Sequence, residues 1–488
     1  MTVTDDCTQR YPETGISVLI VGAGVAGLMA ALECWRNGHD VRIVERSPEE
    51  VTTGKQVIVL TDMIKHIAAN KPTSATRAFK HWPKLAEENE KIAFVPHLAF
   101  YTLSGDRLTE PNHVEYRQDK GSKKVPGQLT RHWRPQLHGI LLKQLYAIGI
   151  SIEYGCRAVE YFERSQTGRA GIILTNGERL EADVVIAADG LRSHSTKVTL
   201  GQEIRARPTG QAFYRTAFPV EIAMNDPMVR ERFPVVGEKE GPIEFWAGEH
   251  YHFLVIRTSD TMSWTLSHKD YESATESWSH QSDPEDVLKI TSTIPDWPEV
   301  ADRLIRLTPK DRLLHFRVMW RDPQPTWVSP AGRIVQIGDA AHTYIPASGN
   351  GATQGIEDAV SLATCLRMAG GTEQVPWALR IHNRLRFIRV SCLQKLGLIN
   401  LKSYSEKPKK DNFTPKGLQY LTAEWIWGHE PETYAEENYS KVLDHLQRGT
   451  PFQDTNIPRG HVYRDWTINE MLEIQERGEE IELDGEWE

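Results

Sequence analysis

A glycine-rich turn near the N-terminus constrains the fold more than any other feature of this sequence. Residues 16–21 read ISVLIV, a run of aliphatic and β-branched residues that predicts a fully buried strand. Directly after it, Gly22, Gly24 and Gly27 form the pattern GxGxxG at the start of a helical segment. A strand, this glycine spacing and a helix in that order predict the first turn of a dinucleotide-binding fold.

Each glycine of this turn has its own predicted role. Gly22 permits the tight turn, Gly24 lets a pyrophosphate approach the backbone, and Gly27 lets the helix pack closely on the strand. The phosphates would lie at the helix N-terminus, where amide groups face an anion. Glu45 ends a second predicted strand, VRIVE (41–45), and is placed to accept hydrogen bonds from ribose hydroxyls. These features predict an adenosine-bearing cofactor, either FAD or NAD.

A second glycine-rich loop, GDAAHTYIPASGNG (338–351), follows another strand-like segment and precedes EDA (357–359). This combination resembles the GD segment of class A flavin monooxygenases, the aromatic-hydroxylase type. We call residues 338–351 the GD loop. Within that class the sequence is most similar to salicylate-hydroxylase-like fungal monooxygenases of specialised metabolism. Where the family usually has Gln between the last two glycines, this chain has Asn350. The resemblance spans residues 16–428 and favours FAD over NAD as the bound cofactor.

The resemblance implies flavin contacts along most of this loop. Asp339 follows the end of a strand, where its carboxylate can hold ribityl hydroxyls, and Pro346 can form a rigid wall beside the isoalloxazine ring. Gly349 and Gly351 leave backbone amides free to approach the pyrimidine edge of the flavin at the start of a helix. The remaining flavin contacts implied by the resemblance are Gly338, Ala352 and Ile58.

The middle segment, DVVIAADG (183–190), resembles the DG motif of the family, which serves both FAD and the pyridine nucleotide. Asp189 is its implied flavin-binding residue. Thr196 and Lys197 stand where the family has a downstream arginine, and Lys197 could supply the charge without a guanidinium fork. The hydride donor, NADH or NADPH, is therefore inferred from the family alone. Arg134, in HWRPQLH, matches a further FAD-contacting arginine, with a surface arginine in the first helical turn as the alternative.

The resemblance also implies a fold, an α/β architecture of the para-hydroxybenzoate-hydroxylase type. We expect a Rossmann-like FAD-binding domain over residues 14–204 and 331–400. Residues 205–330 contain alternating strand-like segments rich in Trp, Phe and Pro, which indicate an inserted mixed or antiparallel sheet that binds the substrate. Residues 401–488 would form a C-terminal helical extension.

The inserted sheet carries the candidates for catalysis. Arg215, in AFYRTAFP, resembles the arginine of a family Tyr-Arg pair and could bind a phenolate or a carboxylate. The alternative is a strand arginine that pairs with a nearby acid. Tyr251 and His252, in GEHYHFLVI, would point to opposite faces of a strand. The resemblance favours Tyr251 for hydrogen bonding or deprotonating a phenol, and a structural role for His252.

The reaction implied by the resemblance has two halves. NAD(P)H reduces FAD, and O2 then gives a flavin C4a-hydroperoxide whose distal oxygen passes to an electron-rich phenol or indole. We therefore expect an NAD(P)H-dependent monooxygenase of an aromatic or indole-type small molecule. The alternatives are an FAD-dependent dehydrogenase, a flavin halogenase and a non-catalytic protein of the same fold. WIWGHE (425–430) lacks the Trp-x-Trp-x-Ile-Pro motif of halogenases, and the intact GD loop argues against loss of the cofactor.

Composition limits the partners and the compartment. A net charge of −9 argues against a nucleic-acid partner, because phosphate binding needs clustered Lys and Arg. The apolar runs are strand-sized, which argues against a membrane span, and the N-terminus is polar and unlike a signal peptide. The five cysteines are scattered without CxxC or metal-like spacing, as suits free thiols in a reducing compartment. We expect a cytoplasmic enzyme, monomeric or homodimeric, without a metal site.

Overall fold

The computed structural model describes most of the chain: residues 8–50, 77–113, 128–164, 166–270, 282–405 and 422–487, with short pieces at 2–3, 61–62, 65–66, 116–117, 124–125 and 420. The strands of its larger sheets are β1 (Ser17–Val21), β2 (Asp40–Val44), β3 (Val95–Thr102), β4 (Asn112–His113), β5 (Ile152–Glu153), β6 (Ala158–Arg164), β7 (Arg169–Leu174), β8 (Arg179–Ala182), β9 (Val184–Ala187), β10 (Arg207–Pro219), β11 (Glu240–Gly248), β12 (Tyr251–Arg257), β13 (Thr261–Lys269), β14 (Leu314–Trp320) and β15 (Ile334–Gln336). Short strands pair elsewhere: Thr2–Val3 with Gln9–Arg10, Thr61–Asp62 with His132–Trp133, Lys65–His66 with Gln128–Leu129, and Tyr116–Arg117 with Lys124–Val125.

Helices lie between and after these strands. The α-helices are α1 (Val25–Arg36), α2 (Pro83–Ile92), α3 (Arg134–Ala147), α4 (Thr196–Thr199), α5 (Val220–Ala223), α6 (Pro227–Arg232), α7 (Pro284–Thr291), α8 (Glu299–Arg306), α9 (Gly351–Ala369), α10 (Val375–Ser405), α11 (Glu424–Trp427), α12 (Pro431–Arg448) and α13 (Ile468–Glu476). Single 3₁₀ turns occupy Ala78–His81, Lys310–Arg312, Gly338–Ala340, Pro346–Ser348 and Thr372–Gln374.

A five-stranded parallel sheet in the order β5–β2–β1–β9–β15 forms one half of the fold. The side chains of β1 alternate between its two faces. Val18 and Ile20 pack among α1, α3 and α9, whereas Leu19 and Val21 pack against a three-stranded antiparallel sheet of β6, β7 and β8. A parallel strand covered on both faces is apolar along most of its length, which explains the run VLIV (18–21). The predicted Rossmann-like α/β architecture is confirmed.

A seven-stranded sheet in the order β14–β10–β13–β12–β11–β3–β4 forms the other half. Neighbouring strands are antiparallel except β11 and β3, which run parallel, so the sheet is mixed as predicted. β3 and β4 come from the segment assigned by sequence to the FAD-binding part, 14–204, and complete a sheet otherwise drawn from 205–330. The domain boundaries themselves stay a prediction.

The two faces of the seven-stranded sheet meet different parts of the molecule. On one face, which we call the outer face, Trp246 and Trp264 pack with apolar residues of α6, α7 and α8. On the opposite, inner face, Phe213 packs with Ile345 of the GD loop and Leu398 of α10. The inner face is therefore the one that faces the half of the molecule with the parallel sheet.

The C-terminal residues form helices that pack on α10, in agreement with the predicted helical extension. Trp466 donates a hydrogen bond from Nε1 to Ser391 Oγ at 2.9 Å. The Trp425 and Trp487 rings meet edge to face with their centroids 5.9 Å apart. None of the described helices combines the length and apolar character that crossing a bilayer requires. The cysteines among the described residues form no disulfide.

A buried group of charges, which we call the ionic cluster, joins α9, α10 and the GD loop. Arg386 donates to Asp358 Oδ1 at 2.9 Å and to Glu357 Oε2 at 2.5 Å, and Arg389 donates to both oxygens of Glu357 at 2.9 and 3.0 Å. His342 Nε2 lies 2.6 Å from Asp358 Oδ2. Burial would raise the pKa of Glu357, but the Arg389 and Arg386 guanidinium groups hold it well below its usual range. The cluster therefore keeps its carboxylates ionised.

The ionic cluster extends into the C-terminal segment through Arg389. Its guanidinium group also donates to the carbonyl oxygens of Trp425, Ile426 and Asn456, at 2.5, 2.9 and 2.9 Å. One arginine thus satisfies a carboxylate of α9 and three backbone carbonyls of the C-terminal segment. Because Glu357, Ile426 and Asn456 are buried, loss of the Arg389 guanidinium group leaves their acceptor atoms without this partner.

We expect Glu357→Gln to lower the free energy of unfolding by about 3–5 kcal/mol, because it leaves Arg386 and Arg389 buried with too little negative charge. Urea denaturation followed by tryptophan fluorescence measures the change. The matched control is Glu299→Gln, which breaks the exposed Glu299–Arg303 pair and should leave stability unchanged. Equal stability of the two variants would contradict a structural role for the ionic cluster.

Candidate functional site

The three motif segments meet at one edge of the parallel sheet. β1, β9 and β15 are neighbours, so their carboxyl ends lie side by side, and each motif begins where its strand ends. Backbone hydrogen bonds fix this arrangement, from Ala188 N to Val21 O at 2.9 Å and from Ile337 N to Ala187 O at 3.0 Å. The segments that were separate in the sequence therefore form a single site.

The first glycine turn packs tightly on the DG segment. Gly22 has φ +105°, and a Cβ atom there would lie 2.5 Å from Ala188 O. A Cβ at Gly27 would lie 1.9 Å from Gly22 O, so neither position accepts a side chain. Gly24 differs, because a Cβ there would meet no atom within 4 Å. It is the N-cap of α1 and borders open space at a helix N-terminus, where an anion is favoured.

The GD loop packs on the same helix. A Cβ at Gly338 would lie 2.9 Å from Ala26 Cβ, and one at Gly355 would lie 3.0 Å from that atom. Gly338 also has φ +57°, in the left-handed region. Ala26 therefore fits between these two glycines. This packing brings the first turn of α1 close to α9 and to the 3₁₀ turn Gly338–Ala340, which we call the GD turn. Two helices contribute their N-terminal ends to this part of the molecule.

Glu45 and Arg134 lie around the first glycine turn. Ala23 N donates to Glu45 Oε2 at 2.8 Å, and the other oxygen accepts from the backbone and hydroxyl of Ser47 at 2.9 and 3.0 Å. His138 Nε2 donates to Ala23 O at 2.8 Å. Burial lowers the pKa of His138, and the positive charge of Arg134, the first residue of α3, adds to this effect. The structure thus brings Glu45 and Arg134 to the turn that holds Gly24.

The aspartates of the other two segments have different surroundings. Asp189 accepts a hydrogen bond from Tyr161 Oη to Oδ2 at 2.8 Å, and burial raises its pKa. Asp339 lies in the 3₁₀ turn of the GD segment with an exposed side chain. The Asp339 carboxylate is accessible to a ligand, whereas one oxygen of Asp189, Oδ2, is already bound by Tyr161.

The end of the GD loop leaves backbone amide groups available to a ligand. Pro346 begins a 3₁₀ turn, and Gly349 follows it with φ +59°. α9 starts at Gly351 without a side-chain cap, since the amide of Asn350 turns back to donate to Ser348 O at 2.7 Å. The amides of Gly351 and Ala352 are among those that an α-helix leaves without an internal partner. A ligand with acceptor atoms could bind there.

The seven-stranded sheet separates the two catalytic candidates. Arg215 is buried and pairs with Thr265 and Leu314 on the neighbouring strands, on the same face as Phe213, the inner face. His252 is also on this face, with its ring 5.9 Å from the Phe213 ring. Strand alternation then places Tyr251 on the outer face. The catalytic assignment of Tyr251 stays a prediction that the sheet geometry does not favour.

Comparison with known proteins identifies the family to which this chain belongs. A family model described as an FAD binding domain matches residues 15–380. The FAD-dependent monooxygenase fsr3 of Gibberella fujikuroi is 39% identical over 488 residues, which cover 98% of this chain and 90% of the relative. The chain belongs to the FAD-dependent monooxygenases. The predicted family and its FAD cofactor are confirmed, which removes NAD as the resident cofactor.

Solved structures of similar proteins agree with this family assignment. A crystal structure of CtdE in complex with FAD and a substrate matches with a TM-score of 0.73 and 28% identity, over 89% of this chain and 100% of that one. A salicylate hydroxylase substrate complex matches with a TM-score of 0.62 and 20% identity, over 87% and 98% of the two chains. The second match shows the shared fold alone.

The geometry of this monooxygenase fits FAD. Gly24 leaves a place beside a helix N-terminus that a side chain would fill, and Asp339 presents an accessible carboxylate. Of the remaining predicted contacts, Ile58 lies outside the described residues. Lys197, which stands in place of the family arginine, is exposed in α4.

Sequence reasoning missed one residue of this monooxygenase, Arg321, which follows β14 directly. It is buried, and its guanidinium group donates to the GD loop at Ala340 O and Thr343 Oγ1, at 3.1 and 3.2 Å. The only signal in the sequence was a charged residue directly after an aromatic strand end, VMWRD (318–322). That signal alone does not separate a buried arginine from a solvated one.

We expect Gly24→Ala and Gly27→Ala to have different effects. Gly24→Ala should leave the melting temperature of the apoprotein unchanged and raise the dissociation constant of FAD by roughly tenfold or more, because its methyl group occupies space next to the helix N-terminus. Gly27→Ala should lower the melting temperature, because its methyl group collides with Gly22 O. Differential scanning fluorimetry and flavin fluorescence titration measure both quantities. An unchanged FAD affinity in Gly24→Ala would exclude this turn from the cofactor site.

Proposed function

We propose that this monooxygenase uses NAD(P)H and O2 to oxygenate an electron-rich aromatic or indole-type small molecule in specialised metabolism. The observation that carries the proposal is Arg215, a buried cation on the inner face of the seven-stranded sheet. The fungal relatives named FAD-dependent monooxygenases support the class of reaction. Salicylate hydroxylase, an enzyme named for an aromatic substrate, has the same fold.

In this proposal the carboxyl edge of the parallel sheet holds FAD. Gly22, Gly24 and Gly27 would receive the pyrophosphate at the N-terminus of α1, with Glu45 on the ribose. The residues proposed for the rest of the flavin are Arg134, Asp189, Gly338, Asp339, Pro346, Gly349, Gly351 and Ala352. Bound there, FAD would supply the redox chemistry of the reaction, with NAD(P)H as the electron source and O2 as the oxygen source.

Arg215 would bind and orient the substrate. The buried guanidinium group is little screened by water, so an ionised phenol or carboxylate is attracted to it strongly. A phenolate held in this way is also more electron-rich at its ring carbons than the neutral phenol. The inner face thus selects substrates that carry an acidic group on an aromatic ring.

His252 is our candidate for a neutral polar contact with such a substrate. Burial lowers its pKa to about 4, so its imidazole is uncharged at physiological pH. It shares the inner face with Arg215, two strands away. Tyr251, the residue favoured by the family resemblance, is the alternative for this contact.

The inner face also excludes water. Phe213 and Phe316 pack with Ile345 and Leu398 from the opposite half of the molecule, and Trp466 of the C-terminal segment completes the apolar cluster. A dry site strengthens the attraction between Arg215 and an anion and protects reactive oxygen species from side reactions.

Substrate-stimulated oxidation of NADH and NADPH, measured over a panel of phenols, benzoates and indoles, tests the proposed function. We expect phenols or benzoates to accelerate oxidation of one nicotinamide and to give products heavier by one oxygen atom in mass spectrometry. Incubation under ¹⁸O2 should transfer the label to the product. If no compound accelerates reduction of the flavin and none gains oxygen, the proposed substrate class is wrong.

We expect Arg215→Met to keep its FAD and to lose product formation by about 100-fold or more, because an anionic substrate then has no counter-charge. The control is Arg257→Met on the outer face, where Glu244 keeps Arg232 as a partner. Flavin absorbance and product mass measure the two properties. Arg215→Met with normal turnover, or a similar loss in Arg257→Met, would rule out a specific role for Arg215.

A further inference from the structure

Arg321 contacts the GD turn through the backbone. Besides Ala340 O and Thr343 Oγ1, its guanidinium group donates a hydrogen bond to Asp339 O. The 3₁₀ turn Gly338–Ala340 ends at these carbonyl groups, and a helix end leaves its last carbonyls without internal partners. The guanidinium group satisfies them and places a positive charge at the negative end of the turn.

The charge of Arg321 has different surroundings from those of Arg386 and Arg389. Arg386 and Arg389 each contact a carboxylate directly, whereas Arg321 makes no ion pair within the described residues, although it is 3% exposed. Burial lowers its pKa, and the nearby carboxylates of Asp339 and Asp189 oppose this effect. The guanidinium group therefore acts in the electric field of both motif aspartates without being neutralised by either.

We propose that Arg321 is a positioning residue of the flavin site, which holds the GD turn so that the Asp339 side chain faces the cofactor. The inference rests on the proposed assignment of Asp339 to FAD. The turn is held from two sides: Gly338 N donates to Asp358 Oδ2 at 3.0 Å, and Arg321 binds the carbonyl groups that follow. With both ends of the peptide segment fixed, the Asp339 side chain is left to project outward.

The segment that carries Arg321 is itself fixed in place. The neighbouring Asp322 accepts a hydrogen bond from Arg207 at 2.7 Å and another from Ile468 N, at the start of α13, at 2.8 Å. Trp320, the residue before Arg321, is buried with Trp466 in the apolar cluster that also contains Phe213. Arg321 thus reaches the GD turn from a rigid junction between the seven-stranded sheet and the C-terminal segment.

The geometry distinguishes a guanidinium group from an ammonium group. Arg321 uses two nitrogens in different directions, Nε toward Thr343 and an Nη toward the two carbonyl groups. An ammonium group keeps the charge but lacks this planar fork, and an amide keeps a donor but lacks the charge. Lys and Gln substitutions therefore separate the two contributions.

We test the inference with the full-length Arg321→Ala, Arg321→Lys and Arg321→Gln variants. In Arg321→Ala we expect the FAD dissociation constant to rise by roughly tenfold or more, and millimolar ethylguanidinium to restore part of the affinity. Arg321→Lys should retain more affinity than Arg321→Gln, because it keeps the positive charge. Flavin fluorescence titration gives the affinity, and the apoprotein melting temperature reports on folding.

Two further variants make the outcomes distinguishable. Asp339→Asn tests the assignment on which the inference rests: unchanged FAD affinity in that variant means that the assignment itself fails. Weakened binding in Asp339→Asn with wild-type affinity in all Arg321 variants overturns the inference alone. Arg257→Met is the control for loss of any buried arginine, and an equal loss of FAD affinity there also overturns it. If Arg321→Ala does not fold, affinities of the Lys and Gln variants equal to wild type overturn the inference.

Discussion

The architecture depends on the pairing of buried charges between α9 and α10. Glu357 and Asp358 are adjacent in α9, and Arg386 and Arg389 of α10 neutralise them with no exposure to water. Such charges are stable inside a protein only when each has its partner, so the two helices are held in one register. The same group orients the GD loop through Asp358 and the C-terminal segment through Arg389. The flavin site and the end of the chain are thus fixed by one set of contacts.

Close backbone contact is the second constraint on the site. Gly22 against Ala188, and Ala26 between Gly338 and Gly355, bring three distant segments within van der Waals contact. This closeness aligns the carboxyl ends of three parallel strands and the N-terminal turns of two helices. Positive helix ends and an accessible carboxylate then lie together, which suits a cofactor with a pyrophosphate and hydroxyl groups. Only Gly24 faces open space among the three glycines of the first turn, which separates ligand binding from packing.

Prediction from sequence succeeded where the chemistry is local. GxGxxG after an apolar strand predicts its own turn, because glycine alone fits the close contacts at Gly22 and Gly27. It was weaker where partners come from distant segments. The apolar pattern of β3 gives no indication that it joins the seven-stranded sheet beside β11, and the family resemblance favoured Tyr251 although its strand turns it away from Arg215. Arg321 was missed because a single charged residue after a strand carries no information about burial.

The sequence by itself determined the fold class, the family and the cofactor of this protein. These follow from short motifs whose residues act within a few positions of one another, through glycine sterics, strand alternation and helix ends. Only the tertiary structure decided which face of the seven-stranded sheet meets the GD loop and which buried arginines have carboxylate partners. Both depend on how elements far apart in the chain pack together, since burial and long-range charge pairing are properties of the assembled fold and not of any one segment.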